Sequence, residues 1–289
     1  MTEARANRTV LVTGGRGRLG RLLVQDLRAA GVRAVSLGRS RPDVHHADDV
    51  VVDLRDAEAV ADITRQADAD VIVHLASVLR GDDLAVHNQL IDSAVAGAAR
   101  VARTRRVINV SSGAVYGTAD SHALREDSTL EGDSAYAKSK IAGEELFRTL
   151  AGERPETSVT TLRIFNIAGP AFPDSLVHKL LHATSARPVT VVGPDHFVRD
   201  YVHQSDVLAV LRAAARDEQE GHRVLNVGAG AAISTRMLLD SLQIEESRVN
   251  VREGVPSVNW ADISLMAAAL GVVPNQLPTR AWESVTPAG

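Results

Sequence analysis

The chain has 289 residues, 45% of them hydrophobic and 24% charged, with a formal net charge of -4 and no cysteine. This composition excludes a disordered chain, a disulfide-stapled module, thiolate chemistry and cysteine-ligated metal, and the mild negative charge leaves no footprint for nucleic acid or an anionic membrane surface. No run reaches the roughly 18 apolar residues of a membrane span, and MTEARANRTVLVTGG lacks an apolar signal core, so a cytoplasmic protein without a metal site is expected.

Residues 8–13 (RTVLVT) read as a short β-branched strand. A Gly-rich turn follows, then a helix from about Leu19 to Ala30 with Leu19, Leu22, Leu23 and Leu27 on one side and Gly31 at its end. VRAVSLG is a second strand and DVVVDL a third, ending at Asp53-Leu54. Next come a polar helix from about Asp56 to Ala67, a fourth strand over 68–76, a long Ala-rich helix from about Asp83 to Arg103, and RRVINVSS as the fifth strand. A helix from about Ala135 to Leu150 leads to a sixth strand over 158–169. Beyond Pro170 the pattern loosens. PAFPDS, ARPVTVVGPD, GPDHFVRD, AGAAIS and VREGVPS read as loops among helices near 175–184 and 204–217 and short strands at 190–192 and 223–227.

Strands apolar on both faces, spaced by helices, predict an α/β fold: a doubly wound parallel sheet of Rossmann type with helices on both sides. Residues 1–169 are expected to form a dinucleotide-binding domain, and 170–289 a smaller C-terminal substrate lobe partly returning to the main sheet.

VLVTGGRGRLG sets Gly14, Gly17 and Gly20 at G-x-x-G-x-x-G spacing between a strand and a helix. Glycines permit the tight turn, and the helix N-terminus offers unpaired N–H groups to a pyrophosphate. The end of the second strand chooses between dinucleotides. A carboxylate there accepts from the ribose hydroxyls of NAD and repels a 2'-phosphate. This chain has Leu37-Gly38-Arg39-Ser40 instead. Arg39 is a candidate fork for a 2'-phosphate, and Arg16 in the glycine turn can close over it, so NADP is favoured with NAD as the alternative. In an Arg-rich chain the alternative is that both are solvent-facing arginines. Asp53, followed by Leu54, is a candidate partner for the adenine amino group or a cap for the next helix.

SAYAKSKIAGEE places Tyr136 and Lys140 at i and i+4, on one helix face. A free tyrosine has a pKa of about 10, and a nearby ammonium lowers it, which makes Tyr136 a candidate acid/base. The chain has only three lysines, Lys138, Lys140 and Lys179, so two in one short segment stand out. Ser112, at the end of the fifth strand, faces the side where ligands bind in this architecture and is a candidate for holding the substrate oxygen. Ser111 is read as strand structure alone.

These stretches, with HLA at 74–76, SSGAVYG, LRIFNIAGP, FVRDYVHQSDV and LNVGAG, resemble the extended short-chain dehydrogenase/reductase family in its nucleotide-sugar epimerase/dehydratase branch, over about residues 9–274. The resemblance implies that Ser112, Tyr136 and Lys140 are catalytic and that Lys140 also holds the nicotinamide ribose. It implies that Leu19, Leu75, Ala76, Tyr136 and Lys140 join Gly14, Arg16, Gly17, Gly20, Arg39, Asp53 and Leu54 around the dinucleotide. Asn166 and Arg199 would contact the diphosphate of a nucleotide sugar, although an arginine before Asp200 also reads as a surface ion pair. A homodimer through the two long helices is implied as well. Family dehydratases carry an Asp-Glu pair after the strand-five Ser/Thr, where this chain has Gly113-Ala114, so dehydration is not expected. The Gly38-Arg39 corner tilts the expectation to reduction of a keto group on a nucleotide (deoxy)hexose, with Tyr136 as general acid. The alternatives are an NAD-dependent epimerase resembling UDP-glucose 4-epimerase and a reductase of a non-sugar carbonyl. A non-catalytic cofactor-sensing protein is disfavoured because Tyr136 and Lys140 are both present.

Overall fold

The computed structural model describes residues 8–40, 46–118, 122–275 and 277–283. Residues 1–7 of the N-terminal stretch MTEARANRTVLVTGG, which lacks an apolar signal core, lie outside them. In chain order the elements are β1 (Thr9–Thr13), α1 (Arg18–Ala29), β2 (Arg33–Gly38), β3 (Asp49–Val51), α2 (Ala57–Ala67), β4 (Val71–His74), α3 (Leu84–Val101), β5 (Arg106–Ser112), α4 (Ala135–Glu153), β6 (Ser158–Ile164), β7 (Asn166–Ala168), α5 (Leu176–Leu181), β8 (Val189–Val192), β9 (Phe197–Arg199), β10 (Tyr201–His203), α6 (Gln204–Arg216), β11 (His222–Val227), β12 (Ile233–Ser234), α7 (Thr235–Ser241), β13 (Val249–Arg252), β14 (Ser257–Asn259) and α8 (Ser264–Leu270).

The main sheet has seven strands in the order β11-β6-β5-β4-β1-β2-β3. β1 pairs in parallel with β2 on one side and β4 on the other, and β2–β3 and β4–β5 are parallel too. This is the doubly wound α/β arrangement that the alternating pattern predicts. The strand order reverses at β1, and ligands in such sheets sit beyond the carboxyl ends of the strands at that point.

Two compact units share the chain. Among the described residues, the first comprises those within 8–111, 133–162 and 211–224; the second comprises those within 112–132, 163–210 and 225–283. The core of the first is built from Leu11, Leu37, Ile72 and Val107 of the strands with Val95, Phe147 and Leu150 of the helices. The second packs Val177, Leu180, Tyr201, Ile233, Leu238 and Trp282. No helix among the described residues is long and apolar enough to cross a membrane.

Several boundaries differ from expectation. The third strand stops at Val51. Val52 still donates to the Gly38 carbonyl, but the Asp53 carbonyl then accepts from Asp56 N–H, which turns the chain before Asp53-Leu54 can extend the strand. The single strand expected over 158–169 breaks at Phe165. Phe165 N–H bonds to the Val227 carbonyl and Asn166 N–H to that of Asp200, so β7 leaves the main sheet to pair with β10. GPDHFVRD contains β9 and AGAAIS contains β12. VREGVPS opens with the end of β13 and closes on the first residue of β14.

Candidate functional site

The glycine turn joins β1 to α1. Gly14 takes φ +68°, and a Cβ on it would lie 2.8 Å from the Ala76 nitrogen. A Cβ on Gly20 would run into the Gly14 carbonyl. Side chains are excluded at both places, so backbone N–H groups at the start of α1 remain open to a ligand. A cleft of about 690 Å³ opens there, at the carboxyl ends of β1, β2 and β4. It is lined by Gly14, Arg16, Gly17, Arg39, Asp53, Leu54, Leu75 and Ala76, eight of the expected dinucleotide residues. Leu19 and Gly20 are not among its lining; Gly20 is packed under the turn.

Within the cleft the arginines differ. Arg16 folds over Gly38, where a Cβ would be 2.5 Å from its Cγ. Its Nη1 pairs with Asp49 at 3.2 Å and its Nε donates to the Ser40 carbonyl at 3.2 Å, so Arg16 is no solvated side chain. Arg39 is exposed at the cleft edge. Asp53 does not cap α2; Asp56 does, accepting from Ala59 N–H at 3.0 Å. The Asp53 carboxylate accepts from Arg55 instead, and this bonding holds its pKa down at about 2. Arg55 and His87 also line the cleft and were not legible as site residues, since they are an arginine after a turn and a histidine on a helix.

Tyr136 and Lys140 stand one turn apart in α4, as their spacing predicts. Ser134 starts that helix, its Oγ accepting from Ala137 N–H at 3.1 Å. Lys140 is buried, and its Nζ donates to the Val110 carbonyl at 2.9 Å and lies 5.9 Å from the Tyr136 ring centroid. Burial pushes its pKa below the ordinary lysine value, against the pull of Asp92 and Glu144. Ser139 donates to the Tyr136 carbonyl at 2.8 Å and accepts from Asn88 Nδ2 at 3.0 Å, which ties the first turn of α4 to α3.

Ser112, Asn166 and Arg199 line one recess of about 260 Å³ in the second unit, with Gly113, Phe165 and Asn259. Ser112 Oγ accepts from Ala114 N–H at 3.2 Å and caps the 3₁₀ turn Gly113–Tyr116. Asn259 Nδ2 donates to the carbonyls of Gly113 (3.2 Å) and Gly117 (2.8 Å), clamping that turn from a distant part of the chain. Arg199 is not paired with Asp200. The Asp200 carboxylate accepts from the N–H groups of Ala229, Gly230 and Ala261. Arg199 lies over the Phe197 ring at 3.7 Å and donates to Ser257. Burial lowers its pKa, and no carboxylate among the described residues bonds to it. A half-buried guanidinium without a counter-ion is suited to an anionic ligand. No cluster of metal-ligating side chains exists among the described residues.

The model of the NAD dependent epimerase/dehydratase family matches residues 10–228. UDP-glucose 4-epimerase of Mycolicibacterium smegmatis is 31% identical, with 79% of each chain covered. The Azospirillum brasilense UDP-glucose 4-epimerase is 28% identical over 94% of this chain and 89% of its own. The solved structure of MoeE5 in complex with UDP-glucose and NAD superposes with a TM-score of 0.78 at 27% identity, covering 92% of this chain and 93% of that one. A match over most of the chain, spanning the glycine turn and the strands of the main sheet, leads to one conclusion: this chain belongs to the NAD dependent epimerase/dehydratase family.

Proposed function

We propose that the protein holds a nicotinamide dinucleotide in the cleft beyond β1, β2 and β4 and epimerises a nucleotide sugar at a carbinol carbon, with UDP-glucose as the first candidate. The observation that carries this reading is the agreement among relatives: UDP-glucose 4-epimerases of two bacteria match 79% and 94% of the chain. They favour epimerisation over the net reduction that the Gly38-Arg39 corner suggests. Loss of water is disfavoured by Gly113-Ala114. At position 113 a Cβ would already press on the Phe165 ring at 3.0 Å, so a carboxylate side chain there would have to displace that ring.

In this reading, the glycine turn and the N-terminus of α1 take the pyrophosphate, and Asp53, Leu54, Leu75 and Ala76 flank the adenosine. The bound nicotinamide supplies the hydride acceptor and donor. Ser112 holds the reacting oxygen of the sugar. Tyr136 removes the hydroxyl proton as the carbon is oxidised and returns it as the carbon is reduced from the other face. The Lys140 ammonium favours the phenolate and meets the nicotinamide ribose. Arg199 and Asn166 take the diphosphate, whose charge suits an arginine with no carboxylate partner among the described residues.

Arg39, and the lack of a carboxylate at the end of β2, favour a second reading: an NADPH-dependent ketoreductase of a nucleotide sugar. One experiment separates the two. The dinucleotide released by denaturing the purified protein is identified by mass spectrometry. The protein is then supplied with UDP-glucose while the C4 epimer and absorbance at 340 nm are followed. Conversion without net nicotinamide consumption supports epimerisation; stoichiometric NADPH oxidation on a keto-sugar, with no isomer formed, overturns it. Tyr136→Phe is expected to lower kcat by about 10²–10⁴-fold.

A further inference from the structure

A chain of buried polar groups that the proposed reaction leaves unused ends against α4, the helix that carries Lys140. Thr13 Oγ1, just before the glycine turn, is 2.7 Å from His74 Nδ1. His74 Nε2 is 2.9 Å from Asp92 Oδ1. A carboxylate only accepts, so the ring donates to Asp92 from Nε2. The other oxygen, Oδ2, faces α4 at Gly143, where a Cβ would be 2.5 Å away. Thr13, His74 and Asp92 are all at most 5% exposed. A carboxylate this deep needs a counter-charge, and the missing side chain at Gly143 lets it approach the helix that carries Lys140.

We propose that Asp92 is a positioning residue for Lys140: its carboxylate, held by His74 and admitted by Gly143, is the counter-charge that keeps the buried Lys140 side chain an ammonium and fixes it near Tyr136. Lys140 Nζ donates to the Val110 carbonyl of β5 and lies 5.9 Å from the Tyr136 ring centroid. The carboxylates whose charge acts on it are Asp92, whose Oδ2 abuts Gly143 three residues further along the same helix, and Glu144 of α4. Glu144 is partly committed elsewhere, accepting from Ser111 Oγ at 2.5 Å. The chain from Thr13 also links the dinucleotide turn to the acid/base helix. The inference rests on the reading of Tyr136 and Lys140 as the acid/base pair.

The three lysines of the chain permit a test that needs no substrate. Protein labelled with ¹³C at lysine Cε gives three signals to titrate, and Lys140→Met assigns the buried one. In Asp92→Asn, which keeps the shape and one acceptor for His74, the Lys140 midpoint is expected to fall by about one pH unit, while Lys138 and Lys179 stay put. Gly143→Ala, which retains every ionisable group but displaces the carboxylate, is expected to shift it the same way and serves if Asp92→Asn folds poorly. In the UDP-glucose assay the alkaline limb of kcat is expected to move down with that midpoint, with KM little changed. Unmoved Lys140 titration in a folded variant overturns the proposal. Full activity of Tyr136→Phe instead overturns the acid/base reading, which the lysine titration does not touch.

Discussion

Asp200 carries a charge where a charge is least welcome. It is 0% exposed, and the N–H groups of Ala229, Gly230 and Ala261 reach it at 2.6, 3.0 and 3.2 Å. Burial outweighs those donors and raises its pKa from 3.8 to about 6. The folded state therefore binds this proton more tightly than the unfolded chain does. The stabilisation is fully present below about pH 4 and is lost as the pH rises through about 6. A shift of this size corresponds to an effect on the order of 3 kcal/mol. Asp200→Asn removes the titration, so the stability of the native protein relative to this variant is expected to fall by about that amount between pH 4 and pH 7. Urea unfolding of both proteins across that range measures it, and a constant difference would show that the three donors offset burial fully.

At the scale of elements, α4 joins stability to chemistry most directly. Its cap, Ser134, satisfies Ala137 N–H at 3.1 Å, two residues from Tyr136. Ser134→Ala is expected to cost about 1 kcal/mol and to loosen the first turn, so kcat should fall further than the small drop in Tm implies. Equal kcat in both proteins would show that the tie from Ser139 to Asn88 holds Tyr136 alone. This helix was legible because its signal is local: the i, i+4 pair of Tyr136 and Lys140 in a chain with few lysines. The glycine turn was legible for the same reason. β9, β12 and β14 were not. They have two or three residues each and gain their pairing only from one another, Ile233 against Arg199 and Ser257 against Phe197. Asn259 clamps Gly113 from 146 residues away, and no local pattern announces it. Asp92 did leave a trace: it is an acid on the buried side of α3, among Asn88, Ile91 and Val95.

For the whole molecule, we propose a homodimer through α3 and α4, and its test follows from what α3 leaves uncovered. One side of α3 packs on α2 and α4. The opposite side presents Val86, Leu90, Ser93, Gly97 and Val101 at spacings of three and four residues, with Val86, Leu90 and Val101 56%, 46% and 55% exposed. No charge interrupts that row, whereas a helix face meant for water carries charges. From Val86 to Val101 the row spans about 22 Å, long enough for a twofold axis to set it against its own copy, every residue meeting the same surface on the partner. Small side chains at Ser93 and Gly97 let two helices approach closely in the middle, and the larger ones at the ends then lose their water. Leu90→Arg puts a charge into that seam without touching the core. Light scattering is expected to give twice the chain mass for the native protein and the single-chain mass for Leu90→Arg, with the helical circular dichroism of both unchanged. A variant that stays dimeric, or a native protein that is monomeric at micromolar concentration, would remove α3 from any role in assembly.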